Sequence, residues 1–587
     1  MRIGAARCLS ILTASIIAWG LAPARAQDAP PNIVIILADD AALMDFGVFG
    51  GEARTPHIDA LAQRGMMFTQ AHTSPMCAPS RAMLLTGVDS HKAGIANLPE
   101  FLPPGHVGQP GYSGHLEEGV KTLAARLKPL GYRTYMTGKW HLGHGPGQLP
   151  VAHGFDRSFV LDASGADNWE KRAYLPIYSD ALWFEDGQKA DLPEDFYSST
   201  FLVDRMIDYL GSDGGEAPFL AYVAFQAVHI PVQAPAEFTD NYAGVYDAGW
   251  ETVREARWRR AQEIGLIPVG APLAPRHPDL RAWESLSSDE RDLMAKSMAV
   301  NAGMLEAMDH HIGRLVDHLR ETGELDNTIF VVTSDNGPEP NDPGDQASMR
   351  LWLKATGYSR DIATLGEKGS YVWIGPEWAS AAAGPGSLFK LYAANGGTRV
   401  PLIVTGPGIS AGARSDAFTF VTDVAPTLIE LAGGTPQPAP GEVAITGRSL
   451  APVLYGATPR AHPPGAAIGM EAAGQSALFR DGWKLVRNNA PFGDGVWRLY
   501  DVTNDPGETR DLATQEPARF DKLMADYEAY ARENGVLEVP DGYTTIGQLN
   551  TNYRNKTLRQ FWWVPAGLVL LLAAGGYAVW HRRANRT

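Results

Sequence analysis

The sequence predicts an α/β fold, in which a large mixed but mostly parallel sheet is sandwiched by helices and a smaller C-terminal α+β subdomain packs beside it. Three observations predict this. Short, near-continuous apolar runs that end in polar residues recur through the first 465 or so positions, as strands covered on both faces do. Amphipathic helical stretches lie between them, and strands alternating with helices form largely parallel sheets. From about Ala466 the pattern changes to hairpin-like runs with turn chemistry.

The clearest run is NIVIILADD, Asn32 to Asp40. HIDALAQRG follows, with apolar residues at Ile58, Leu61 and Ala62 and with Gly65 as its expected C-cap. YRTYMTGKWH (Tyr132 to His141) is a weaker strand, and PFLAYVAFQAVH (Pro218 to His229) a stronger one. Residues 246–262, rich in Trp and Arg, read as an amphipathic insertion. A long helix begins near Ser287, whose spacing to Glu290 fits a capping box. Its apolar face runs from Met294 to Leu319, and it stops at Gly323. NTIFVVTSDNG (Asn327 to Gly337) and VPLIVTG (Val400 to Gly406) complete the predicted strands of the sheet. In the second unit, SALFRDGWKLVRN and VWRLYDVTNDPGE carry turns at Asp481-Gly482 and at Asp505-Pro506-Gly507, and a helix follows over Pro517 to Glu533.

The expected domains are therefore a main domain over 27–465, a subdomain over 466–537 and a polar linker over 538–560. Both ends add a hydrophobic segment. MRIGAAR, an apolar run and APARAQ read as a secretory signal peptide over 1–26, cleaved after Ala26. FWWVPAGLVLLLAAGGYAVW, Phe561 to Trp580, has no charge and would rise about 30 Å as a helix, enough to span a bilayer. The basic residues on its two sides balance, so the leader sets the orientation. The expectation is a periplasmic domain anchored to the inner membrane, with 581–587 in the cytoplasm. A sorting tail that is later removed is the rival reading.

A formal net charge of −16 over 587 residues argues against a nucleic-acid partner. The chain has two cysteines, Cys8 in the leader and Cys77, so the mature chain has no intrachain disulfide.

Ligands of such sheets bind beyond the carboxyl ends of the strands, where Asp39, Asp40, Lys139, His141, His229, Asp335 and Asn336 all fall. Adjacent carboxylates repel unless a cation or proton separates them. Asp39-Asp40 with Asp335-Asn336 make an all-oxygen set that suits Ca²⁺ or Mg²⁺ over zinc. Either pair alone reads more readily as a loop start or a helix cap, and it is two pairs at two buried-strand ends that shift the balance to a metal site. In CAPSRAMLLTG, Cys77 to Gly87, Pro79 suits the first turn of a helix, which puts Cys77 at a helix N-terminus, a place that favours anions. Arg81 adds a fork of donors suited to a tetrahedral oxyanion. A buried structural cysteine is the plainer alternative, but packing does not require this string.

At CAPSRAMLLTG the chain resembles the type I sulfatases of the alkaline phosphatase superfamily, in which that cysteine is oxidised by a separate formylglycine-generating enzyme to Cα-formylglycine. The resemblance runs from Asn32 to about Gly535 and includes TPHIDALAQRG, GKWHLG, HGFDRSF, FQAVHIP, TSDNG and FKLYAANGGTRVP. The stretch GSYVWIGPEWASAAAGPGSLFK is similar to the bacterial arylsulfatase branch. The resemblance implies an alkaline phosphatase-like fold and metal ligands Asp39, Asp40, Asp335 and Asn336, normally on Ca²⁺, with the modified Cys77 reaching the ion. It implies that Arg81 and Lys139 hold the formylglycine and sulfate oxygens. His141 takes a proton from the sulfated intermediate, and His229 with Lys390 contacts the ester and assists the leaving oxygen. ALMDFG after the Asp pair and Asn395-Gly396-Gly397 depart from the family pattern in loop detail.

A hydrated aldehyde carries two hydroxyls on one carbon: one attacks sulfur in line, and the other lets the intermediate collapse once a base takes its proton. The implied activity is that of an arylsulfatase, a sulfuric ester hydrolase acting foremost on aryl sulfates, with small-molecule or glycan sulfate esters as the substrate class. A phosphonate monoester hydrolase or phosphodiesterase, using nearly the same site, is the alternative. A non-catalytic sulfate-ester binder is disfavoured because every implied catalytic position is filled.

Overall fold

Each apolar run becomes a strand where its branched side chains are covered on both faces. The computed structural model describes residues 30–212, 215–560, 575–577, 581 and 584–585. From edge to edge its ten-stranded sheet runs Ala413–Ser415, Gly65–Phe68, Leu402–Thr405, Thr328–Ser334, Asn32–Ala38, Phe219–Ala224, Arg133–Lys139, Arg157–Leu161, Trp183–Glu185 and Gln188–Lys189. The five strands from Thr328–Ser334 to Arg157–Leu161 are mutually parallel, so their carboxyl ends share one rim. Phe219–Ala224 lies at the centre of the five with Asn32–Ala38 beside it, and both are buried along their whole length.

Leu402–Thr405 runs antiparallel to Thr328–Ser334. The chain leaves that strand at the carboxyl rim, stays there through Lys390, and so must re-enter the sheet in the opposite direction. Gly65 does not cap the helix Pro56–Gln63; it opens the next strand, where an added Cβ would lie 2.3 Å from the Val404 carbonyl oxygen. The long helix spans Ser288–Glu321, and Ser287 and Glu290 make the reciprocal capping box. On the insertion helix Gly249–Glu263, Arg257 reaches down to Asp45 at 2.8 Å.

A four-stranded antiparallel meander, Ile468–Ala472, Gln475–Arg480, Trp483–Arg487 and Trp497–Asp501, builds the smaller unit. Asp481 and Gly482 both take positive φ, 51° and 81°, which a tight right-twisted hairpin requires. Helix Pro517–Asn534 lays Leu523 and Tyr527 on Leu478, Leu485 and Leu499 of this sheet.

The membrane anchor is corrected. No helix among the described residues is long and apolar enough to cross a membrane. The expected span 561–580 falls outside the described residues except for 575–577, as does the signal peptide over 1–26 with Cys8. The segment leading to 561 is a polar helix, Thr545–Gln560, fastened to the main domain: Asn552 Nδ2 donates to the carbonyl oxygens of Glu100 and Leu102, both at 3.0 Å. The expected location, a periplasmic domain held at the inner membrane, and the membrane partner are withdrawn with that anchor.

Candidate active site

The parallel rim collects the polar residues that end the strands. Asp39 and Asp40 follow the strand Asn32–Ala38, Asp335 and Asn336 follow Thr328–Ser334, and Lys139 ends Arg133–Lys139. Gly138 just before it has φ 103°, and an added Cβ would sit 1.8 Å from the Ala224 carbonyl oxygen. Only glycine admits that approach, which aims Lys139 into the site. Asp40 (φ 67°) and His141 (φ 58°) hold left-handed backbone that non-glycine residues seldom adopt, strain that folded structure must offset elsewhere.

Cys77 is the first residue of the helix Cys77–Thr86, all ten of whose residues are buried. Its Sγ lies 3.9 Å from Asp40 Oδ1. Arg81, one turn further on, donates from Nε to Asp335 Oδ2 at 2.8 Å and from Nη1 to the Lys139 carbonyl at 2.9 Å. The third guanidinium nitrogen, Nη2, is 2.7 Å from Asp335 and 3.5 Å from Asp39. Lys139 Nζ donates to Asp39 at 2.7 Å. Lys390 Nζ bridges Asp40 at 2.9 Å and Glu339 at 2.7 Å. Asn336 Nδ2 donates to Asp40 at 2.6 Å. His229 Nε2 stands 3.9 Å from Asp40, and its Nδ1 is 2.7 Å from the Ile230 carbonyl, which makes Nδ1 the protonated nitrogen. His141 is buried with neither ring nitrogen hydrogen-bonded; Glu100 is 4.0 Å away.

Nine of the ten residues singled out in the sequence thus interlock around one point through direct contacts, and His141 stands just outside that network. Two buried acids were missed. Glu339 follows Asn336 by three residues in TSDNGPEP, and that proximity was a usable signal. Glu100 lies in a turn with no motif around it.

Four buried carboxylates, Asp39, Asp40, Asp335 and Glu339, face three cations, Arg81, Lys139 and Lys390. Burial raises the Asp40 carboxyl; Lys390 opposes this, but Asp39, Glu339 and Asp335 add to it, and the group is pushed up to about 8. Burial also raises Asp335, with Asp39 adding to the rise. At Asp39 the burial penalty is outweighed by Lys139, Arg81 and Lys390, and the carboxyl falls below its usual range.

A cluster that forces a carboxylate towards protonation is short of positive charge. Ligand atoms of Asp39, Asp40, Cys77 and Asp335 lie within 4.8 Å of one another, and Asp39 Oδ1 and Asn336 Oδ1 are buried without a hydrogen-bond partner. These oxygens fit a hard divalent cation. Burial pushes the Cys77 thiol well above its ordinary value, although Lys139 and Lys390 pull it down, so as a thiol it is poorly nucleophilic. His141 and His229 are held well below the usual histidine range, first by burial and then by Lys139 and other neighbouring cations, so both are neutral at neutral pH.

Residues 31–434 match the protein family described as Sulfatase. An uncharacterized sulfatase of Schizosaccharomyces pombe is 33% identical over 541 residues, covering 88% of this chain and 96% of its own. An arylsulfatase of Klebsiella aerogenes is 37% identical over 416 residues, covering 70% of this chain and 89% of its own. Among solved structures, Ps i-CgsB in complex with k-i-k-neocarrahexaose superposes with a TM-score of 0.61 at 22% identity, over 91% of this chain and 98% of that one. At that identity the superposition shows a shared fold.

Proposed function

The chain belongs to the sulfatase family, an enzyme whose nucleophile is a formylglycine made from Cys77, and on that premise we propose how its residues divide the hydrolysis of a sulfate monoester into an alcohol or phenol and sulfate. The observation that carries the reading is the convergence of Cys77, Asp39, Asp40 and Asp335 within 4.8 Å at a helix start on the carboxyl rim of the sheet.

Asp39, Asp40, Asp335 and Asn336 would hold a divalent cation, Ca²⁺ on their all-oxygen donors, beside residue 77. Such an ion would supply positive charge to the sulfate oxygens and favour the deprotonated form of the attacking hydroxyl. Arg81 and Lys139 grip the hydrated side chain of residue 77 and the sulfate oxygens, where negative charge builds in the transition state. Lys139 already lies 2.7 Å from Asp39, so it also spaces the carboxylates. His141, neutral and with both nitrogens unengaged, accepts the proton from the second hydroxyl on residue 77. His229 has Nδ1 committed to the Ile230 carbonyl, so its bare Nε2 takes the proton that the attacking hydroxyl releases and hands it to the leaving oxygen, and Lys390 lies alongside to steady its charge. Maturation requires a formylglycine-generating enzyme as a partner.

The test is protein co-produced with such an enzyme and assayed on 4-nitrophenyl sulfate, a bis-aryl phosphate and an aryl phosphonate. Sulfate is expected to be turned over fastest, chelation to abolish the rate, and Ca²⁺ to restore it better than Mg²⁺. A clear preference for the phosphorus esters would make the enzyme a phosphonate monoester hydrolase or phosphodiesterase instead.

A further inference from the structure

Above Cys77 the site opens into a cavity of about 380 Å³. Its floor is polar, with Cys77, His229 and Lys390; its walls are mostly apolar, interrupted by Ser164, Asn341, Gln346, Ser348 and Asn550. Met349 and Trp352, one turn apart on the helix Ala347–Ala355, line it. So do Ile546, Leu549 and Tyr553, spaced i, i+3 and i+7 along the otherwise polar helix Thr545–Gln560. That helix is a fixed part of the domain, held by the two bonds from Asn552 and by Tyr543, whose hydroxyl donates to the Phe101 carbonyl at 2.8 Å.

The charges in the cavity point the same way. Glu100, Glu339 and Asp342 line it, and among the described residues Lys390 is its only lysine or arginine. Lys390 is already engaged by Asp40 and Glu339. A leaving group bearing further sulfates or carboxylates would meet Glu100 and Glu339 with Lys390 already engaged, and sugar hydroxyls would lose water to walls that are mostly apolar. A flat ring system loses nothing polar there and gains the apolar contact.

We propose that the enzyme takes the sulfate monoester of a bulky, polycyclic aromatic alcohol, and that the helix Thr545–Gln560 is the specificity-determining wall that selects it. This rests on the sulfatase reading above.

The experiment compares KM for phenyl sulfate, pyrenyl sulfate and galactose 6-sulfate, using protein in which conversion of Cys77 is verified. KM should fall at least tenfold from phenyl to pyrenyl sulfate, and the sugar ester should have a kcat/KM at least a hundredfold below the pyrenyl ester. In Ile546→Gln/Leu549→Gln, the ratio of the two aryl KM values should contract at least fivefold. Arg554→Ala, on the exposed face of the same helix, should leave that ratio unchanged. If the double variant does not fold, Tyr553→Ala serves the same comparison. A preference for the sugar ester, or an unchanged ratio in the wall variant, overturns the proposal while the sulfatase reading stands. Absence of turnover on every sulfate ester overturns both.

Discussion

The floor and the walls of the active site are built on opposite principles. The floor packs four carboxylates, three cations and two neutral histidines into a buried space at the ends of parallel strands, and each carboxylate and cation there has a charged partner within hydrogen-bond reach. The walls come from two short helices and from loops, and present methionine, tryptophan, isoleucine, leucine and tyrosine. The floor can thus perform one reaction on one group, a sulfate, while the walls decide which molecule delivers it. Floor variants should act on kcat and ion binding, and wall variants on KM.

The largest effect expected on this division is at Cys77. Cys77→Ala should lower turnover of 4-nitrophenyl sulfate by ~10⁴-fold or more, since no other group can form the covalent bond. The thermal unfolding midpoint should stay close to the parent's. Next comes Asp335→Asn, which keeps the shape but removes one charge from the ion site; Ca²⁺ affinity, measured by titration calorimetry, should fall by ~10²-fold. His141→Gln should cost about 10²- to 10³-fold in kcat with KM little changed, as expected for loss of a proton acceptor. A parallel rise in KM would move His141 from the floor's chemistry to substrate binding.

The smallest effect concerns a buried cluster away from both regions. His91, on the helix Ser90–Ala93, pairs with Asp89 and, across to the smaller unit, with Glu471 at 2.9 Å. Burial opposes its charge, but the hydrogen bonds its ring donates to Asp89 and Glu471 raise it to about 9. A histidine raised in the folded state stabilises in full below about pH 6.5 and loses that contribution as pH climbs through about 9. The linkage is worth up to ~3 kcal/mol, so the unfolding free energy should decline between pH 6.5 and 9.5. His91→Gln should flatten that decline, as read from denaturant melts at several pH values.

The floor was legible in the sequence because its residues are out of character for their positions. An Asp pair ending an apolar run, a lone cysteine before Pro79 and Arg81, and Lys139 and His141 closing a strand all contradict what packing alone would place there. The parallel core and the Asp481-Gly482 hairpin were legible for the same local reasons. The walls were not. Ile546, Leu549 and Tyr553 are scattered among Gly, Gln, Asn and Thr, so 538–560 reads as a polar linker until its contacts with Glu100 and Leu102 are seen. Met349 and Trp352 resemble ordinary core residues, since an apolar side chain lining a cavity carries the same pattern as one filling it. Glu100 was missed because its partners lie far off in sequence. The antiparallel entry of Leu402–Thr405 depended on where the preceding chain ends, which no local pattern encodes.

The most direct test of the covalent chemistry is peptide mass spectrometry across Cys77 paired with turnover on the same preparations, made with graded amounts of a formylglycine-generating enzyme. The expected result is a rate that rises in proportion to the aldehyde fraction and extrapolates to zero where residue 77 is all thiol. A preparation carrying only the thiol yet hydrolysing sulfate esters at the full rate would contradict it.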